Sequence, residues 1–170
     1  MDVVKQHQAY APETLGFAVL SVSSSRGLEE DEAGRAIERM VGEAGHRNVD
    51  RLMAPDSVAG IRGPLRTLLR RDEVDVVVVT GGTGVSPRDL TPEAVMPLLE
   101  KDLPGFGELL RMLSFEQIGA AAMLGRGFAG VTKGKAVFVL PGSPAAVELA
   151  MERLILPEAP HLIGQLRRRR

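Results

Sequence analysis

The sequence predicts a three-layer α/β/α sandwich built on a mostly parallel sheet, with one hairpin adding an antiparallel strand. Two observations carry this prediction. Val76–Val79 is an unbroken β-branched run, which is typical of a central strand buried on both faces. Three strands end in short turns rich in glycine or serine, Ser23–Arg26, Gly81–Asp89 and Gly142–Ser143, as expected where parallel strands lead into helices.

Composition indicates one aliphatic domain. The chain has 170 residues, and aromatic side chains make up only 4% of them. The absence of cysteine excludes disulfides, thiolate catalysis and cysteine-ligated zinc, and it fits the cytoplasmic location that we predict. A net charge of −1 argues against broad nucleic-acid binding, and no apolar run has the length of a signal peptide or a membrane span. We therefore expect neither nucleic acid nor membrane as a partner.

Hydrophobic periodicity places the elements in order. We predict an N-terminal arm over residues 1–14, a single domain over residues 15–166 and a basic, solvated tail over residues 167–170. The predicted strands are Phe17–Val22, Val49–Ala54, Val76–Val79, Phe128–Thr132 and Ala136–Leu140, the last two forming a hairpin. The predicted helices are Asp31–Gly45, Ser57–Arg71, Pro92–Asp102, Phe106–Leu113 and Ala145–Leu156. The small apolar segment Ser114–Leu124 is expected to be helical or to lie at a subunit contact.

The turn after the central strand has the chemistry of a phosphate site. Three of its first four residues are Gly81, Gly82 and Gly84, which allow the backbone to approach a ligand closely. Thr91-Pro92 then predicts a helix start, with threonine as the N-cap, so free N–H groups and a positive dipole end meet there. The spacing matches neither a P-loop nor the dinucleotide fingerprint.

Two further loops leave alternatives open. Ser23–Arg26 is either a serine-rich turn or a second phosphate-facing loop. Asp56 either caps the following helix or serves as a site acid. In an open parallel sheet these turns meet at the carboxyl edge. Their hydroxyls, arginines and acids suit a phosphorylated ligand and Mg²⁺, which prefers one or two carboxylates plus phosphate oxygens.

Three ordered motifs carry a resemblance to a known family. Thr80–Ala94 closely resembles the signature of the molybdenum cofactor biosynthesis proteins of the MoaB/MogA type. Pro104–Glu108 and Leu140–Pro144 are similar to the family's two other landmarks, and the resemblance spans roughly residues 15–165. It implies that Mg-ATP donates AMP to the terminal phosphate of molybdopterin. The alternative is a molybdopterin carrier without catalysis.

The resemblance also implies roles and partners. The Pro-Asp acid Asp56 would be one of two catalytic carboxylates, and Glu108 would contact pterin nitrogens. Our hypothesis is that Asp56 and Asp89 hold Mg²⁺ or orient the nucleophile. The other ligand-binding positions would be Ser23, Ser25, Gly81, Gly82, Thr83, Gly84, Ser86, Arg88, Pro141, Gly142 and Ser143. The family's members are typically trimers or pairs of trimers, and they act with other cofactor-synthesis proteins. This chain departs from the family's pattern at Ser24, where many relatives have Asp, and at Gly125, where many have Ser.

Overall fold

The computed structural model describes residues 11–168, so most of the predicted N-terminal arm lies outside the described residues. Six strands form one sheet in the order β2-β1-β3-β6-β5-β4. Their bounds are β1 Gly16–Val22, β2 Arg47–Ala54, β3 Val76–Thr80, β4 Lys101–Asp102, β5 Phe128–Thr132 and β6 Lys135–Leu140.

The sheet is mostly parallel, as predicted. β1 pairs in parallel with both β2 and β3, and β3 pairs in parallel with β6. β5 folds back on β6 as the antiparallel hairpin, and the short β4 adds a second antiparallel pairing at the edge. The chain passes from β1 to β2 on one side and then returns to β3 on the other. The strand order therefore reverses beside β1.

Helices cover both faces of the sheet. They are α1 Glu32–Glu43, α2 Val58–Leu69, α3 Thr91–Val95, α4 Pro104–Ile118, α5 Pro144–Ala150 and α6 Leu156–Arg167. On one face Val76 and Val78 pack with residues of α1, α4, α5 and α6, while on the other Val77 and Val79 pack with α2 and α3. All four valines are fully buried, which confirms the three-layer sandwich and the two-sided burial of the central strand.

The predicted helix Pro92–Asp102 is wrong. α3 ends at Val95, a 3₁₀ turn covers Met96–Leu98, and the chain then enters β4. Pro97 explains the early end, because it has no N–H to continue the helix and its ring crowds the preceding turn. The Glu100 amide donates instead to the Val131 carbonyl oxygen at 2.9 Å, which starts the pairing with β5.

The helical alternative for Ser114–Leu124 is confirmed. α4 continues past Leu113 to Ile118, a 3₁₀ segment covers Gly119–Leu124, and at their junction Gly119 has a φ of +63°, which favours glycine. The last helix continues through a π-helical segment, Met151–Ile155, into α6. Arg167, predicted as the first residue of the tail, is the last residue of α6, and its side chain pairs with buried Asp75. In the described range 11–168, no helix is both long and apolar enough to cross a membrane.

Candidate functional site

A cavity of about 520 Å³ opens at the carboxyl edge of the sheet, beside the point where the strand order reverses. Its walls come from the turns after β1, β2, β3 and β6. The predicted site residues that line it are Ser23, Ser25, Asp56, Gly81, Gly82, Thr83, Gly84, Arg88, Asp89, Pro141 and Gly142. The sheet thus brings together side chains from four separate parts of the sequence.

The glycine turn after β3 can be built only with glycine at its first two positions. Gly81 and Gly82 have φ angles of +98° and +65°. A Cβ on Gly81 would lie 2.5 Å from the Val22 carbonyl oxygen, and one on Gly82 would lie 2.4 Å from the Thr91 hydroxyl. The Gly81 amide donates to the Leu140 carbonyl oxygen at 3.0 Å, which ties the turn to the end of β6. The turn therefore lies tightly against its neighbouring strands.

Thr91 anchors this turn and does not cap a helix, so the N-cap prediction is wrong. Leu90 occupies the N-cap position of α3. Thr91 is fully buried, its hydroxyl donates to the Gly81 carbonyl oxygen at 2.7 Å, and its amide donates to the Gly82 carbonyl oxygen at 3.0 Å. These bonds satisfy the carbonyl groups of the turn. Within residues 11–168 the amides of Gly82 and Thr83 have no protein acceptor, which leaves them available to an anion.

Asp89 orders the second half of the loop. Its Oδ2 accepts a hydrogen bond from the Ser86 amide at 2.9 Å. Hydrogen bonding from the Ser86 side chain is the main cause that lowers the pKa of Asp89, and the Ser86 and Gly84 amides act in the same direction. Asp89 is therefore ionised at neutral pH. Ser86, a predicted site residue, does not line the cavity and acts on it only through its hydrogen bond to Asp89.

Asp56 is not the helix cap. Ser57 caps α2, its hydroxyl accepting from the Gly60 amide at 3.0 Å. Asp56 instead forms a reciprocal pair with Ser24: its carboxylate accepts from the Ser24 amide at 2.8 Å, and its own amide donates to the Ser24 hydroxyl at 2.9 Å. This pair joins the turns after β1 and β2. Ser24 thus fills a defined structural position between the two turns.

The loop after β1 is the serine-rich turn that was one of its two predicted alternatives. The Ser23 hydroxyl accepts from the amides of Ser25 and Arg26 at 3.3 and 3.1 Å, which makes a serine-closed turn. The same loop also lines the cavity. Arg26 and Arg88 are exposed and line the cavity, and among the described residues neither guanidinium group has a hydrogen bond or ion pair. The cavity therefore offers two unpaired cations.

Besides Ser86, two more predicted site residues lie outside this cavity. Glu108 lines a second cavity of about 740 Å³ together with Glu93, Arg111 and Arg126. Ser143 caps α5, its hydroxyl accepting from the Ala146 amide at 3.4 Å, and it lines a third cavity of about 150 Å³. Gly125 lines all three cavities, so they adjoin one another.

Sequence reasoning missed Asp31, an acid that lines the main cavity. Asp31 is 6% exposed and caps α1, with Oδ1 accepting from the Gly34 amide at 2.9 Å. Its Oδ2 accepts from the Ser21 hydroxyl at 2.6 Å and from Arg51 at 3.1 Å. The sequence signal for the cap was present, an Asp just before a helical pattern, but nothing in that signal points toward the cavity.

A divalent cation fits the cavity only with help from a ligand. No group of three or more His, Cys, Asp or Glu side chains in the described part of the chain could hold a metal ion. Asp56 and Asp89 nevertheless bring two carboxylates to the cavity walls. Mg²⁺ is commonly bound by one or two carboxylates together with substrate phosphates. The residues present therefore fit a cation that arrives with a phosphorylated ligand.

This geometry defines an α/β protein with a cavity at the switch point of its sheet, lined by two arginines and two carboxylates. The family described as "Probable molybdopterin binding domain" matches residues 18–161. Molybdenum cofactor biosynthesis protein B of Halalkalibacterium halodurans is 41% identical over 164 residues, covering 96% of this chain and 96% of that protein. The chain belongs to the family of molybdenum cofactor biosynthesis proteins of the MoaB/MogA type, as the Thr80–Ala94 motif predicted.

Solved structures agree with this assignment and with the predicted fold. A crystal structure of Molybdenum cofactor biosynthesis protein B has a TM-score of 0.90 at 41% identity, covering 94% of this chain and 99% of that one. The tungsten cofactor synthesizing protein MoaB of Pyrococcus furiosus has a TM-score of 0.83 at 35% identity, covering 93% of this chain and 100% of that one.

Proposed function

We propose that this protein is a molybdopterin adenylyltransferase that uses ATP and Mg²⁺. One observation carries the proposal: two unpaired guanidinium groups, those of Arg26 and Arg88, line the same cavity as the carboxylates of Asp56 and Asp89. Two cations suit a ligand with several phosphates, because each phosphate is held best by charge-assisted hydrogen bonds.

The proposed reaction joins two phosphate-bearing substrates. An oxygen of the terminal phosphate of molybdopterin attacks the α-phosphorus of ATP, a new P–O bond forms, and pyrophosphate leaves with the electrons of the broken P–O bond. Arg26 and Arg88 would balance the charge on the phosphates, and the Gly82 and Thr83 amides would donate to phosphate oxygens. Mg²⁺ bound by Asp56 and Asp89 would neutralise charge on the leaving pyrophosphate.

The second cavity is the proposed place for the pterin. It adjoins the main cavity at Gly125, and Glu108 in its wall supplies a carboxylate that can accept hydrogen bonds from pterin nitrogens. Gly142 and Pro141 would close the opposite wall of the phosphate cavity. A molybdopterin carrier without catalysis is the alternative, and it would use the same cavities. The two functions differ in whether pyrophosphate and adenylylated molybdopterin are formed.

We expect Arg88→Ala to weaken ATP binding about 10-fold, because one charge-assisted contact to phosphate is lost. The measurement is isothermal titration calorimetry with ATP and Mg²⁺. Arg66→Ala is the matched control, since Arg66 is also exposed and lies on α2 outside the main cavity. Equal affinity of both variants and the wild type would contradict the role of Arg88.

We expect Asp89→Asn to lower the rate of adenylyl transfer at least about 10-fold, because the charge that balances Mg²⁺ is removed while the side-chain shape is kept. Steady-state kinetics at saturating Mg²⁺ would measure it. Thermal unfolding of the same variant is the companion measurement, since Asp89 also orders its own loop. Turnover within a few-fold of the wild type would contradict the metal role of Asp89.

We further propose that the protein is a homo-oligomer, either a trimer or a pair of trimers, and that it works in the cytoplasm with other cofactor-synthesis proteins. Support for the oligomer comes from exposed apolar side chains on α4 and the following 3₁₀ turn: Leu109, Met112, Phe115, Ile118, Met123 and Leu124 are each 46–76% exposed. We expect wild-type protein to sediment as a trimer or hexamer and Phe115→Asp to sediment as a monomer. A monomeric wild type at micromolar concentration would contradict this proposal.

A further inference from the structure

The Arg126 side chain joins the loop Gly84–Asp89 to α3. Its Nε donates to the Gly84 carbonyl oxygen at 2.8 Å, and one Nη donates to the Asp89 carbonyl oxygen at 2.7 Å. The guanidinium group also forms an ion pair with Glu93 in α3. In addition, the Arg126 amide donates to the Thr83 carbonyl oxygen at 2.9 Å. A single residue therefore holds both ends of the segment Gly84–Asp89.

This arrangement needs the shape of arginine. A guanidinium group presents five donors in a rigid plane, so it can reach two carbonyl groups and a carboxylate at once. The ammonium group of lysine is a point charge that cannot reproduce these directions. The hydrogen bond from Arg126 is the main cause that lowers the pKa of Glu93, so Glu93 is ionised at neutral pH and the pair is charged on both sides.

Arg126 acts on the main cavity without lining it. Its side chain is half-buried and lies in the wall of the second cavity, together with Glu93. The loop that it holds carries Arg88 and Asp89, which line the main cavity. The positive charge of Arg126 also contributes to the lowered pKa of Asp89. The loop between its two anchored ends is exposed at Val85, Ser86 and Arg88.

We propose that Arg126 is a positioning residue that fixes Gly84–Asp89 in the conformation that presents Arg88 and the neighbouring free amides to a phosphate group. Without it, two carbonyl groups of the loop lose their donors and the loop gains conformational freedom, which must then be lost again on binding. The proposal rests on the proposed function only in taking the ligand to be phosphorylated. Arg126 touches no reacting atom in this scheme.

The test compares Arg126→Ala with Arg62→Ala in the full-length protein. Arg62 is a matched control, because it is also half-buried and donates to two carbonyl oxygens of α3, those of Ala94 and Glu93, at 2.9 and 3.0 Å, but forms no hydrogen bond with the loop among the described residues. Hydrogen–deuterium exchange of a peptide covering residues 82–90 reports the order of the loop. Calorimetry with ATP and Mg²⁺ reports the binding of phosphate.

We expect Arg126→Ala to speed exchange of this peptide about 10-fold and to weaken ATP binding about 10-fold, and Arg62→Ala to change neither. Millimolar guanidinium, far below a denaturing concentration, should restore binding to Arg126→Ala. Arg126→Lys should stay impaired, because the planar group is missing.

Unchanged exchange in Arg126→Ala, or full recovery in Arg126→Lys, would overturn the proposal. These readouts separate it from the proposed function. If the wild type binds no ATP, the proposed function fails, while the exchange of residues 82–90 still decides whether Arg126 orders the loop.

Discussion

An Asp56→Asn variant is expected to lose adenylyl transfer by about 100-fold or more while keeping its fold. The asparagine oxygen can still accept from the Ser24 amide, so the contact between the turns after β1 and β2 survives. What disappears is the negative charge in the cavity that would hold Mg²⁺ on the phosphates. We expect a lower catalytic rate constant and a changed dependence of the rate on Mg²⁺ concentration. Pyrophosphate release measures both.

Asp72→Asn is the control for this experiment. Asp72 is exposed and lies before β3, at the end of the sheet opposite to the cavity. It should keep wild-type turnover, and circular dichroism should show the same fold for both variants. Retention of turnover by Asp56→Asn within a few-fold of the wild type would remove Asp56 from the catalytic scheme and favour the carrier function.

A Gly81→Ala variant is expected to lose both ligand binding and stability. Its φ of +98° is a conformation that side chains rarely adopt, and the added Cβ would press against the Val22 carbonyl oxygen. Backbone strain of this kind costs about 1–3 kcal/mol, and relief by movement would displace the turn that carries the free amides. Thermal unfolding should therefore show a melting temperature lowered by roughly 2–4 °C for each kcal/mol of strain. Calorimetry should show no ATP binding.

Gly45→Ala separates strain from function. Gly45 follows α1 and also has a positive φ, +81°, but no atom lies within 4 Å of a Cβ placed there. The Gly45→Ala variant should lose about 1 kcal/mol of unfolding free energy, because alanine disfavours a positive φ. It should keep its affinity for ATP. ATP binding by Gly81→Ala at wild-type strength would show that the glycine turn does not contact the phosphate.

The main cavity could be predicted because its signals are local in sequence. A β-branched run followed by Gly81 and Gly82 identifies a buried strand and a turn that needs positive φ. Once strands are assigned as parallel, their carboxyl ends must meet, and residues from four separate turns fall at one edge. The structure places Asp56, Arg88 and Asp89 together for this reason.

The sequence predictions fail where two local signals compete for one role, or where the deciding contact joins residues that are distant in sequence. Asp56 and Ser57 are both good N-caps, and only the pairing of Asp56 with Ser24 decides between them. Thr91 has the composition of an N-cap but is buried against Gly81. The side-chain hydrogen bonds of Arg126 reach back 33 to 42 positions in sequence, so no local pattern predicts them.

The most direct test of the proposed function is transfer of label from ATP labelled at its α-phosphate to molybdopterin by the purified protein. We expect labelled adenylyl-molybdopterin and an equal amount of pyrophosphate, formed only when Mg²⁺ is present and lost in Asp56→Asn. Tight binding of molybdopterin with no labelled product would contradict the adenylyltransferase proposal and leave the carrier function in its place.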